Sequence, residues 1–109
     1  MLRIEDVVDS QKTVYIAGAI SDDKNYKHNF RKAEKYLRSI GFEKIINPTC
    51  VPDNLPYESY APISIAFVQV SDIIYVLKDF ENSRGVMAEI SYALMSGKLI
   101  VFEKGSREK

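Results

Sequence analysis

The sequence predicts an α/β fold in which a parallel sheet carries helices on its faces. Short runs rich in β-branched and aromatic residues, T-V-Y-I-A at 13–17 and I-I-Y-V-L at 73–77 above all, read as buried strands. Between them lie stretches with apolar residues at helical spacing, and Gly41 and Gly97 stand where two of these stretches stop. Strand and helix therefore alternate, the pattern of β-α-β units joined by right-handed crossovers.

A chain of 109 residues is expected to form one domain, 1–109, around a single core. Its 46% hydrophobic and 28% charged composition is that of a soluble globular protein. Fifteen basic and fifteen acidic residues cancel, so no global field draws the chain to nucleic acid or to an anionic membrane. Cys50 is the only cysteine and His28 the only histidine, which rules out an intrachain disulfide, a thiolate cluster and a His-rich zinc site. Neither a metal nor a cofactor is expected. No apolar run approaches the ~20 residues that span a bilayer and no leader peptide is visible, so a cytoplasmic location is expected.

Taken in order, residues 1–12 are poorly periodic apart from Ile4, Val7 and Val8, a lead-in that packs on the core or on a partner. After the strand at 13–17, Gly18-Ala19-Ile20-Ser21 turns into a polar loop over 22–26. A helix is predicted over 28–40, burying Phe30, Ala33, Leu37 and Ile40. A second strand is read at 42–46, closed by Asn47-Pro48, and 49–60 is read as a loop long enough to wall a site. Pro62 suits the first turn of another helix with Ile63, Ala66, Phe67 and Val70 inward. The last strand is read at 99–102, and the residues from Gly105 onward as a charged tail.

The stretch at 82–97 organises the functional reading. Val86, Met87, Ile90, Ala93, Leu94 and Gly97 recur at helical spacing, with Glu89 on the flank and Gly85 one turn earlier. Helical side chains lean toward the N-terminus, so the Glu89 carboxylate is expected over the bare surface of Gly85. The helix start favours anions and carries Ser83 and Arg84. Ser83 reads as an N-cap, a phosphate ligand or both, and Arg84 as a solvated charge or a phosphate partner. In a parallel sheet the ligand crevice lies beyond the carboxyl ends of the strands, where 18–21, 47–48 and 78–83 gather. Tyr26, Tyr57 and Tyr60 stand in the loops beside it, as surface residues or as platforms for a base.

Three of these segments, Y-I-A-G-A-I at 15–20, S-D-I-I-Y-V-L at 71–77 and N-S-R-G-V-M-A-E at 82–89, carry a family resemblance. The chain resembles the nucleoside 2-deoxyribosyltransferase-like superfamily, and most of all its short DUF4406-type branch. The resemblance implies a Rossmann-like, flavodoxin-type three-layer sandwich with a parallel sheet of about four to five strands. It implies an N-glycosidase or deoxyribosyltransferase acting on 2'-deoxynucleotides, with Glu89 as nucleophile and Tyr15 orienting it. Gly18, Ala19, Ile20, Ser83, Arg84 and Gly85 are then the substrate-binding residues. Serine at position 83 is similar to the monophosphate hydrolases of the superfamily, where the transferases commonly carry aspartate. One departure stands out: characterised members place an acid aspartate where this chain has Ser64. Asp53, Glu58 and Asp79 are the alternative acids. The alternative function is a non-catalytic nucleotide-binding or sequestering module using the same crevice. The expected partners are a small-molecule nucleotide or nucleoside and further copies of the chain in a homo-oligomer.

Overall fold

The structure, a computed structural model, describes residues 2–20, 26–52, 55–78 and 80–104. The loop and tail readings at 21–25 and 105–109, and the alternative acids Asp53 and Asp79, lie outside the described residues.

Four strands, β1 (Thr13–Ala17), β2 (Lys44–Ile46), β3 (Ile73–Val76) and β4 (Leu99–Phe102), form one sheet in the order β2-β1-β3-β4. All three pairings are parallel, with Val14 opposite Ile45 on one side of β1 and opposite Ile73 on the other. Three helices connect them: α1 (Tyr26–Ile40), α2 (Tyr57–Val70) and α3 (Arg84–Met95). The first connection runs from β1 outward to β2, while the next two run the opposite way across the sheet. With right-handed crossovers this puts α1 on one face and α2 and α3 together on the other. The result is a Rossmann-like three-layer fold in the flavodoxin-type order. Among the described residues no helix is long and apolar enough to cross a membrane.

The core divides accordingly. Val14 and Ile16 of β1, with Ile73 and Tyr75 of β3, pack against Phe30, Ala33 and Leu37 of α1. Ile4, from a 3-10 turn at Ile4–Val7, joins the same cluster, so the lead-in segment packs on the core. The alternate strand positions, Tyr15, Ala17, Ile74 and Val76, pack against Val68 of α2 and Val86 and Ala93 of α3.

Two helix ends are closed in the same way. Gly41, at φ 121°, follows α1, and the amides of Gly41 and Phe42 bond the carbonyls of Arg38 and Leu37 at 3.2 and 3.1 Å. Gly97, at φ 71°, follows α3, with Gly97 and Lys98 bonding Leu94 and Ala93 at 3.2 and 2.9 Å. These are Schellman closures, in which glycine takes the left-handed position without a side-chain clash. The first one shortens the second strand. Phe42 is buried, but its amide serves the end of α1, and pairing begins only at Lys44.

The middle of the chain differs more from expectation. Pro62 does not open α2; the helix starts at Tyr57 and Pro62 lies inside it, exposed on the side away from the sheet. A further 3-10 turn at Pro48–Cys50 takes up more of the expected loop. The buried side of α2 is also turned: Val68 is fully buried, while Ala66 and Val70 are exposed. Apolar residues surround most of this helix, so their spacing does not set its rotation.

Candidate active site

Alternation along β1 sends Tyr15, the middle residue of the strand, to the α2/α3 side of the sheet. α3 starts above it. The Ser83 hydroxyl accepts from the amide of Val86 at 3.2 Å, the N-cap bond that fixes where the helix begins. The face α3 buries is Val86, Glu89 and Ala93, with Ile90 partly covered, and Met87 and Leu94 are exposed. Glu89 is therefore on the buried side and not on the flank that its apolar neighbours suggested. It is only 5% exposed.

The Tyr15 hydroxyl donates to Oε2 of Glu89 at 2.5 Å. Ser64 of α2 lies beside both residues. The ring of Phe67, one turn further along α2, lies 5.6 Å from the Tyr15 ring and closes the apolar side. Burial pushes the Glu89 carboxyl up to about 7, and the bond from Tyr15, with Ser64 nearby, acts in the opposite sense. The Tyr15 hydroxyl is held well above the usual phenol range, first by burial and then by the charge of Glu89 and the bond to it. Tyr15 thus remains a donor at all ordinary pH, while Glu89 passes between acid and carboxylate near neutrality.

The remaining predicted residues form the rim. Gly85 is exposed on the first turn of α3, and a Cβ there would meet only the Ser83 Oγ, at 3.8 Å. Arg84 beside it is exposed and makes no ion pair among the described residues. Ala19 is half-buried and Ile20 exposed beyond the end of β1. Gly18 is different, because a Cβ there would meet Leu77 Cδ1 at 2.9 Å and Phe30 Cζ at 3.0 Å. Packing between β1, β3 and α1 accounts for this glycine, and only its backbone remains to face a ligand.

Asn47 closes the β2 end structurally: its amide donates to Glu34 at 3.0 Å and its Oδ1 accepts from the Thr49 amide at 3.0 Å. Among the tyrosines, Tyr60 donates its hydroxyl to the Pro52 carbonyl at 2.7 Å, and Tyr26 packs edge-on against Phe30. The side chain of Tyr57 lies outside the described residues. Glu58 is exposed in the first turn of α2. Among the described residues no group of three or more His, Cys, Asp and Glu side chains is placed to hold a metal ion.

The structure thus brings Tyr15 and Glu89 together and adds Ser64, which sequence reasoning treated only as a missing acid. The available signal was the spacing of Ser64, Phe67, Val68 and Ser71, which puts all four on one helical face. Chemically, a buried carboxyl titrating near neutrality and held by a tyrosine hydroxyl is suited to act as a nucleophile when ionised.

A profile of the family described as Domain of unknown function (DUF4406) matches residues 12–102. The comparison with curated proteins finds no match.

Proposed function

The chain belongs to the DUF4406 family, and on that premise we propose that it is an N-glycosidase or deoxyribosyltransferase acting on 2'-deoxynucleotides. The observation that carries the reading is the 2.5 Å bond from Tyr15 to the buried Glu89, one turn from the open surface of Gly85. The resemblance of 15–20, 71–77 and 82–89 to the nucleoside 2-deoxyribosyltransferase-like superfamily supports it further. In this proposal ionised Glu89 attacks the anomeric carbon of the deoxyribose, and the bond to the base breaks with its electron pair on the base. A glycosyl-enzyme ester results, which water or a second base then resolves. A 5'-phosphate is assigned to the α3 start, where free amides, Ser83 and Arg84 favour an anion. The reading includes a cytoplasmic location and assembly as a homo-oligomer. Support for assembly comes from apolar side chains left outside on α2 and α3: Val70 at 65%, Leu94 at 67% and Met95 at 86% exposure.

A panel of 2'-deoxynucleoside monophosphates incubated with the protein and analysed for free base tests the proposal. Release of base from at least one member is the expected result.

Ser64 favours one other reading. A serine hydroxyl is no acid toward a leaving base, and loss of general-acid help costs ~10²–10⁴-fold in rate. A module that holds nucleotide without cleaving it would show nucleotide-dependent stabilisation, ~2.7 kcal/mol at a hundredfold excess over Kd, and no base at all.

A further inference from the structure

Phe67 lies one turn before the end of α2, and its ring stands 5.6 Å from the ring of Tyr15 at a tilt of 36°. That spacing is an aromatic contact of the tilted kind, which favours one relative orientation of the two rings. Among the described residues Phe67 is the one ring paired with Tyr15. The helix residues buried in the same cluster, Val68, Val86 and Ala93, are small and aliphatic. Resting on the glycosidase reading above, we infer that Phe67 is a positioning residue. Its ring holds the Tyr15 ring at the angle from which the hydroxyl reaches Glu89.

The backbone around the two rings fixes this contact. The Asp72 amide donates to the Thr13 carbonyl at 2.9 Å, and the Thr13 amide donates to Oδ2 of Asp72 at 2.9 Å. This reciprocal pair ties the end of α2 to the start of β1, two residues before Tyr15. Ser71, itself buried, bonds the Phe67 carbonyl through its hydroxyl at 2.7 Å. Val68, next to Phe67, is fully buried on the sheet. The turn that carries Phe67 therefore cannot slide along β1 without breaking these bonds. A tyrosine hydroxyl stands at the far end of its ring, so a tilt of the ring moves the hydroxyl most. At 2.5 Å from Oε2 of Glu89 it has little room to move. A misplacement of ~1 Å near the reacting groups can cost ~10²-fold in rate, so a second ring that stops the tilt bears on the chemistry.

The test is a double-mutant cycle on the whole chain, with the parent, Phe67→Leu, Tyr15→Phe and the double variant. Phe67→Leu keeps apolar bulk and removes the flat ring, with Phe67→Met as a second ring-free variant. Tyr15→Phe keeps the ring and removes the hydroxyl. The Glu89 carboxyl is titrated by carbon NMR in ligand-free protein, its resonance assigned against Glu89→Gln. Base release from a 2'-deoxynucleoside monophosphate is followed on the same proteins. Tyr15→Phe is expected to raise the Glu89 midpoint by about one pH unit, the loss of one bond to the carboxylate. Phe67→Leu should raise it by about half a unit, since the bond is loosened and not removed. Its kcat at neutral pH should fall about tenfold with KM within about twofold, as when orientation and not binding is lost. In the Tyr15→Phe background the same substitution should change neither quantity, because no hydroxyl is left to aim. Equal effects in both backgrounds overturn the assignment, as does an unchanged or lowered midpoint in Phe67→Leu. If the parent releases no base, the glycosidase reading fails, and the midpoints alone still decide whether Phe67 acts through Tyr15.

Discussion

The Tyr15 hydroxyl donates to Oε2 of Glu89 over 2.5 Å, tying an interior strand of the sheet to the helix packed above it. Seventy-four residues separate the two in sequence. The strand period of two and the N-cap at Ser83 bring them together: one aims Tyr15 at the α2/α3 layer, the other sets the phase of α3. Burial keeps Tyr15 protonated and raises Glu89, so the pair is a fixed donor beside a titrating acceptor.

Stability should therefore depend on pH through Glu89. A carboxyl whose folded pKa is raised, here to about 7 from 4.5, favours folding while protonated; the contribution is full below pH 4.5 and is lost as pH rises through 7. Glu89→Gln removes the dependence. Urea unfolding should give parent and variant similar stability near pH 4 and make the variant more stable by about 3 kcal/mol at pH 8. Curves that stay parallel across that range would refute the buried carboxyl as described.

Gly85 and Gly18 should respond to alanine in opposite senses. At Gly85 a Cβ meets only the Ser83 Oγ at 3.8 Å, so Gly85→Ala stabilises α3 by up to about 1 kcal/mol through helix propensity. The same methyl covers the surface assigned to substrate, so Tm should rise while base release falls. A variant that is both more stable and fully active would remove Gly85 from the site.

At Gly18 a Cβ lies 2.9 Å from Leu77 Cδ1 and 3.0 Å from Phe30 Cζ. Gly18→Ala should cost about 1–3 kcal/mol as an overpacked contact, read as a lower urea midpoint. An unchanged midpoint would mean that Leu77 and Phe30 yield freely.

The outer side of α3 provides the assembly test. Leu94→Glu with Met95→Glu places two charges where large apolar side chains are exposed. Light scattering on the parent should give a multiple of 12.4 kDa, and on the double variant the monomer mass. A monomeric parent would end the homo-oligomer proposal.

Much of the fold was readable in the sequence because its strongest signals are local. The runs at 13–17 and 73–77 are too β-branched to be read otherwise, and Gly41 and Gly97 mark helix ends through a backbone angle that other residues resist. Rotation of the helices about their axes was not readable. α3 carries apolar residues on more than one side, and a glutamate looks like a solvent residue until Tyr15 is seen to meet it. α2 is apolar nearly all round, so Val70 looked as suited to the core as Val68. Pro62 pointed to a helix start because proline is favoured there, although α2 accommodates it on an exposed side. Glu89 was identifiable from its place after a strand and near a helix start, whereas Tyr15 came only from the family resemblance. Ser64 needed the third dimension.

The central claim is that Glu89 is the nucleophile, and the most direct test is the rate of base release by Glu89→Ala beside the parent. Both are assayed at pH 8, where the carboxyl is ionised, on a 2'-deoxynucleoside monophosphate that the parent cleaves. The expected result is a loss of at least ~10³-fold, as when a covalent nucleophile is removed. Base release by Glu89→Ala at the parent's rate would contradict it.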